Sequence, residues 1–248
     1  ELVHIFDEVL SALKIPSFTI RLNNRKVLSG IAEVCGQPDK IVDITVAIDK
    51  LDKVGEDGVV KELQDRGISD WAIESIKPLL SLSGTESEKL ERMKGILKAS
   101  AIGMKGIEEL EFVMEGVQFS GLQQAELELD FSLARGLNYY TGAIFEVRAN
   151  GVQIGSICGG GRYSDLTSLF GKPDLPGVGI SFGADRIYDV LNELNLFPEL
   201  TTDSTQVLIV QFDEKLLPAY MKLAAKLRTE ELNTEVYPDP AKPKKQFK

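Results

Sequence analysis

Polar and apolar residues alternate without a break over residues 126–133, reading ELELDFSL, so Leu127, Leu129, Phe131 and Leu133 share one face. A period of two marks a strand with one buried side. Extended by two residues, the same strand places Arg135 on its apolar side. A guanidinium does not shed its charge, so on such a face it needs a carboxylate or phosphate to offset desolvation. Gly136, Tyr139 and Tyr140 follow, and Thr141-Gly142 turns the chain into a second strand over 144–149. On these residues alone Arg135 is either half of a structural ion pair or a ligand for an anion.

The flanks have their own periods. Leu2, Ile5, Phe6, Val9, Leu10 and Leu13 fall at helical spacing. Pro16-Ser17 ends that helix, residues 18–22 read as a strand, and Asn23-Asn24-Arg25 opens a helix ending near Gly36. From about 39 to 120 strand signals vanish, and helices are expected over 40–51, 56–65, 70–82, 86–100 and 104–117. Thr85 and Glu88 make a capping box, with Leu90, Met93, Ile96 and Leu97 on one face behind it. Glu108, Glu109, Glu111 and Glu115 read as a solvated face rather than a metal site. The block as a whole reads as a helical excursion separate from the sheet.

Beyond the organising strand, Asn150-Gly151 signals a hairpin whose return strand is expected over 152–158. Gly159-Gly160-Gly161-Arg162-Tyr163-Ser164-Asp165 follows, a bare backbone that admits either close approach of a ligand or tight sheet packing. Residues 177–182 form another glycine-marked strand, leading to a helix over 184–194 with Ile187, Val190, Leu191 and Leu194 inward. Arg186 lies in its first turn, where the helix dipole disfavours a cation. A bound polyphosphate would reverse that penalty; so would a local pair with Asp185. After a linker that includes Phe197-Pro198 and 201–204, a strand over 206–210, a helix over 214–231 and a strand over 234–237 begin a βαβ unit.

Composition narrows the function classes. The 248 residues, 43 % hydrophobic and 27 % charged, suffice for one large domain or two. A net charge of -10 argues against nonspecific coating of nucleic acid, while leaving a structured RNA to a local basic patch. The dense basic run is 242–248. Cys35 and Cys158 are too far apart for a metal knuckle and too few for a secreted disulfide scaffold. His4 is the sole histidine, reads as a surface residue, and leaves no His-rich zinc site or Ser-His-Asp triad. With no apolar run of bilayer length and no signal-peptide pattern, the expectation is a cytoplasmic protein without membrane contact.

Three stretches carry a family resemblance. Residues 134–142, ARGLNYYTG, resemble the first histidine-specific motif of the histidyl-tRNA synthetases, usually RGLDYYTG. Residues 158–165, CGGGRYSD, resemble the second, with Ser164 inserted before the acid, and 177–186, GVGISFGADR, resemble class II motif 3. Asn138 stands where the family usually has an acid, and motifs 1 and 2 are expected ahead of Glu1.

The resemblance implies an α+β fold: a class II synthetase-type antiparallel sheet with helices, a helical insertion and a partial α/β anticodon-binding domain. The divisions are 1–38 and 121–200 for the catalytic core, 39–120 for the insertion and 205–248 for the partial anticodon-binding domain. It implies ATP-dependent activation of histidine and transfer to tRNA-His, with Mg2+ held mainly by ATP phosphates and a homodimer for the full-length protein. Arg135 would be the catalytic arginine bridging the histidine carboxylate and the α-phosphate. Tyr139, Tyr140 and the backbone of Gly159, Gly160 and Gly161 would line the histidine pocket, while Gly183 and Arg186 would serve ATP. The 248 residues alone are expected to be inactive. The alternative is a histidyl-synthetase-like regulatory subunit of ATP phosphoribosyltransferase, disfavoured by the βαβ beginning and the near-complete first motif.

Overall fold

The computed structural model describes residues 1–136, 139–164, 168, 170–172, 175–197 and 205–247. Asn138, Asp165, Pro198, the linker 201–204 and Lys248, all named above, lie outside the described residues. The chain divides into two compact units, Glu1–Leu196 and Phe197–Lys248.

Among the described residues, the first unit is built on a five-stranded sheet in the order β2-β1-β3-β4-β5. The strands are β1 (Phe18–Asn24), β2 (Ala125–Leu129), β3 (Tyr140–Ala149), β4 (Cys158–Tyr163) and β5 (Gly177–Phe182). β1 lies at the hydrophobic centre, with Phe18, Ile20 and Leu22 fully buried. It runs antiparallel to β3, placing Leu22 opposite Phe145, and β3, β4 and β5 continue antiparallel. The expected antiparallel sheet therefore holds except at one edge, where β2 pairs parallel to β1. The long helical connection between those two strands makes that crossover possible.

Two local expectations are corrected. The strand begun at Ala125 ends at Leu129, not at Leu133, so Arg135 is not on a strand at all. Asp130 is the cause: its carboxylate accepts from Ser132 N (2.9 Å) and Ser132 Oγ (2.5 Å), an Asx-type turn that competes with the ladder. Leu129, Phe131 and Leu133 are still buried, but Leu127 is only half-buried. The return strand after Asn150-Gly151 starts at Cys158, where the expectation ended it, so the three glycines sit inside β4. Asn150 is engaged elsewhere, accepting from Thr19 Oγ1 (3.1 Å) and donating to Ser17 Oγ (2.9 Å).

Helices α1 (Leu2–Ala12), α2 (Arg25–Val34), α3 (Ile41–Ile48), α4 (Leu51–Asp65), α5 (Asp70–Leu80), α6 (Glu86–Leu97), α7 (Ala101–Ser120) and α8 (Ala184–Glu193) complete the unit. Gly55, at φ 69°, breaks α4 where the sequence separated two helices. The capping box at Thr85 and Glu88 is present. The stretch 39–120 is not a separate packing unit, however. Ile44, Ile48, Leu63 and Ile76 share one buried cluster with Phe6, Phe18 and Leu22. Small residues join α2 to α7: a Cβ on Gly30 would stand 2.5 Å from Gly103 Cα, and one on Gly106 2.7 Å from Val27 N. Asn24 caps α2 by accepting from Lys26 N (2.9 Å) and donates to Glu109 of α7 (2.8 Å).

α1 is tied down by a buried carboxylate. Asp7, 2 % exposed, accepts from the backbone N–H groups of Gln123 (2.5 Å), Gln124 (3.0 Å) and Ala125 (2.9 Å). Burial alone would raise its pKa; the three amides outweigh burial and hold it below the ordinary carboxylate range.

In the second unit, β6 (Val207–Ile209) pairs parallel with β7 (Thr234–Val236), with α9 (Leu217–Thr229) between them in sequence and α10 (Pro243–Gln246) after. The Gln246 amide accepts from Gln211 N (2.7 Å) and donates to Gln211 O (2.6 Å). No described helix is long and apolar enough to cross a membrane.

Candidate active site

The loop between β2 and β3 is pinned before it reaches Arg135. Asn23 Nδ2 donates to Leu133 O (2.8 Å), and Ala134 N donates to Asp49 Oδ1 (3.1 Å). Gly136 then turns the chain at φ 60°, and Tyr139 N and Tyr140 N both donate to its carbonyl (3.0 and 2.9 Å). A side chain at Gly136 would meet the Tyr140 ring, so both backbone and space demand glycine there. The result is Arg135 and two tyrosines presented at the head of β3. The rings of Tyr139 and Tyr140 meet edge to face, centroids 4.4 Å apart. Burial, followed by the hydrogen bond with Tyr139, pushes the Tyr140 phenol up to about 12, so it is protonated at neutral pH.

Arg135, with its side chain 44 % exposed, ion-pairs through Nε with Glu146 Oε2. Of the two readings left open by the sequence the structure shows the ion pair, which holds one side of the guanidinium while the rest faces a cleft. No other described residue hydrogen-bonds or ion-pairs with it. Its Nη1 is 3.7 Å from where a Cβ on Gly159 would stand.

Arg186 approaches from the other side. It stands in the first turn of α8, whose N-cap residue Gly183 supplies no side-chain cap. Rather than pairing with Asp185, it reaches the segment just before β4, Nη1 donating to Ser156 O (2.6 Å). Gly183 N donates to Ile157 O (2.8 Å), which anchors the helix start beside β4.

Arg135, Tyr139, Tyr140, Gly159, Gly160, Gly183 and Arg186 line one cleft of about 250 Å³. Gly161 is not among the lining residues: a Cβ there would meet Ala143 O and the Tyr140 ring at 2.7 Å, so its bareness serves packing. Ser156, Cys158 and Ser181 also line the cleft; Cys158 and Ser181 fall within the quoted motifs but carry no expected role, and Ser156 had no signal. Burial pushes the Cys158 thiol up to about 12, leaving it an inert neutral group. Glu146 was missed too, although a carboxylate amid Ile144, Phe145 and Val147 breaks the apolar pattern as plainly as Arg135 was expected to do.

A larger groove of about 1060 Å³ lies elsewhere, lined by Leu2, Phe112, Val117 and Val178 among others. Its lining is mostly apolar and includes none of the expected site residues.

The sequence model of the histidyl-tRNA synthetase family matches residues 1–187. The histidine--tRNA ligase of Christiangramia forsetii is 53 % identical over 249 residues, covering 100 % of this chain and 55 % of that protein. That of Bacteroides fragilis is 54 % identical over 247 residues, with 100 % and 54 % covered. The chain thus spans about half the length of the curated relatives it matches. Among solved structures, histidyl-tRNA synthetase from Nostoc sp. PCC 7120 superposes with a TM-score of 0.75 at 35 % identity, covering 98 % of this chain and 57 % of that one. A Bacillus halodurans protein described as an ATP phosphoribosyltransferase regulatory subunit/histidyl-tRNA synthetase superposes at 0.68, but at 21 % identity it shares the fold alone. The family model matches more than half of the chain, relatives above 50 % identity are matched along all of it, and the fold agrees; the chain belongs to the histidyl-tRNA synthetase family.

Proposed function

We propose that the full-length protein carrying this chain is a histidine–tRNA ligase, and that this cleft is part of its site for histidine activation. The observation that carries the reading is the convergence of Arg135 and the tyrosine pair, Gly159 and Gly160, and Arg186, from three separated motifs, on one cleft. In the reaction a histidine carboxylate oxygen bonds to the α-phosphorus of ATP as the bond to pyrophosphate breaks. A hydroxyl at the 3′ end of tRNA-His then attacks the carbonyl carbon, and AMP leaves.

The first step brings two anions together, so its catalysis is positioning and charge neutralisation. Arg135 is suited to span carboxylate and α-phosphate with a planar fork of donors. The protonated Tyr140 phenol can donate to an imidazole nitrogen of the substrate. Arg186 at a helix start suits a terminal phosphate, and the missing side chain at Gly183 leaves room for the base. The charged residues lining the cleft are cations, which fit the phosphates; Mg2+ would come with ATP, neutralising its phosphate charge.

None of the described lining residues is an acid that could take the substrate's amino group. That contact is assigned to residues of the full-length protein outside this chain. The reading also treats 39–120 as the family's helical insertion, residues 205–248 as the start of its anticodon-binding domain, and the full-length protein as a cytoplasmic homodimer. The buried reduced thiols of Cys35 and Cys158 suit that compartment.

The test is histidine-dependent exchange of pyrophosphate into ATP by the full-length protein. Arg135→Ala is expected to lower kcat about 10²–10³-fold, with a smaller change in KM for histidine. An unchanged kcat refutes the role. Histidine binding with no exchange in the wild type would favour the regulatory-subunit reading instead.

A further inference from the structure

Arg135 sits on a loop, and its long side chain is nearly half exposed. A loop-borne arginine in that setting samples many rotamers, and a fork that must meet two anions together needs an anchor. The anchor in this structure is Glu146, at the middle of β3 and only 1 % exposed. It stands opposite Arg21 of β1 on one side and Gly159 of β4 on the other. A carboxylate so placed persists only if paired. It is paired twice: Oε2 with Arg135 Nε, and Oε1 with Arg148 Nε (2.5 Å).

The second pair continues away from the cleft. Arg148 Nη1 donates to Asp52 Oδ2 (3.0 Å), which also accepts from Arg21 Nη1 (2.7 Å), and Arg21 pairs with Asp130 (3.1 Å). Glu146 is thus held from behind by a braced arginine while it grips the one at the cleft. Its grip falls on Nε, the inner nitrogen of the guanidinium. One of the two outer nitrogens, which are left for bidentate contacts to carboxylate or phosphate, is Nη1, 3.7 Å from where a Cβ on Gly159, the register partner of Glu146, would stand.

We propose that Glu146 is the positioning residue of the cleft: it aims Arg135 at the reacting anions without touching them. This inference rests on the role given to Arg135 above. The competing account is that Glu146 only stabilises the sheet, and the two differ in which kinetic constant moves and in whether Arg135 must be present.

The experiment uses the full-length protein and pyrophosphate exchange, comparing wild type, Glu146→Gln, Arg148→Ala, Arg135→Ala and the Glu146→Gln/Arg135→Ala double variant. Glu146→Gln is expected to lower kcat about 10- to 100-fold, the scale of a misplaced catalytic group, with KM for histidine changed less than threefold or so. In the Arg135→Ala background it should cost nothing further, within about twofold. Arg148→Ala, which removes the brace behind Glu146 but leaves its pair with Arg135, should lower the melting temperature and lower kcat less than Glu146→Gln does.

A wild-type kcat for Glu146→Gln, or an equal loss with and without Arg135, overturns the inference while leaving the Arg135 reading intact. A wild-type kcat for Arg135→Ala overturns that reading, and this inference with it. Should Glu146→Gln not fold, Glu146→Asp keeps the charge but withdraws the carboxylate by one methylene. Its expected result is a smaller kcat loss that again vanishes without Arg135, and persistence of the loss overturns the inference.

Discussion

Asp7→Asn is the perturbation with the clearest physical consequence. The wild-type carboxylate accepts Gln124 N and Ala125 N on Oδ1 and Gln123 N on Oδ2. Asparagine can keep the two bonds to Oδ1, but its amide nitrogen then faces the Gln123 N–H, donor against donor. The lost bond is charge-assisted and contributes about 1.5–3 kcal/mol, and making the survivors neutral removes roughly another 0.5 kcal/mol each. The expected destabilisation at pH 7 is therefore about 3 kcal/mol, a large share of a typical domain's net stability of about 5–15 kcal/mol.

The pH dependence has a definite sign. The folded-state pKa of Asp7 is depressed, so its stabilisation is fully present above the unfolded value near 3.9 and is lost as pH falls through the folded one. Urea unfolding of wild type and variant side by side should show a constant gap from about pH 7 to 5 that closes below about pH 4. Amide hydrogen exchange should accelerate most at residues 123–125. A variant within about 0.5 kcal/mol of wild type at pH 7, or a gap that widens on acidification, would refute the assignment of the amide cradle as a net stabiliser.

Gly30→Ala should destabilise by about 1–3 kcal/mol in the same unfolding assay, because the added methyl meets the α7 backbone. Gly116→Ala, with no described atom within 4 Å of its Cβ position, should be stabilising by about 0.5–1 kcal/mol. Cys35 and Cys158, buried and with thiols pushed up to about 11 and about 12, should resist iodoacetamide at pH 8 in the folded protein and react only on unfolding; rapid native labelling of either would show its burial to be misread. The isolated 248 residues should show no histidine-dependent pyrophosphate exchange, since the described cleft offers no acid for the amino group. Exchange by a preparation free of host synthetase would show that the groups are complete.

The elements themselves were largely legible, because burial on one face writes a period into the sequence. α2, α5, α6 and α7 fall where the apolar spacing put them, give or take a turn. What periodicity could not supply was the competition at Asp130, where a side chain offers the backbone an alternative to the ladder, and the parallel pairing of β1 with β2, which only register reveals. The Gly30, Gly103 and Gly106 contacts were equally invisible: a glycine inside a helix reads as weak propensity until its neighbour is known.

The site was legible for a different reason. Arg186 breaks a local rule at its helix start, and the three glycines break one inside a strand, so each advertised itself singly. Arg135 was expected to be a charge on the buried face of a strand. In the structure it is a half-exposed loop residue ion-paired with Glu146, eleven residues on in β3. The glycines carry the same lesson. In β4 their faces alternate, and each bare position answers to a different neighbour: Gly160 to the backbone of Gly179, Gly161 to Ala143 and Tyr140, and Gly159 to Phe145 O and Arg135 Nη1 at ordinary contact distance. Three identical letters therefore hold two jobs, sheet packing for Gly160 and Gly161 and clearance for Gly159. The pleat assigns them, because the partner of Glu146 across the ladder is Gly159 and not its neighbours. A carboxylate that aims an arginine and a glycine that leaves it room have to be in register to work as a pair, and register is what a linear pattern does not contain.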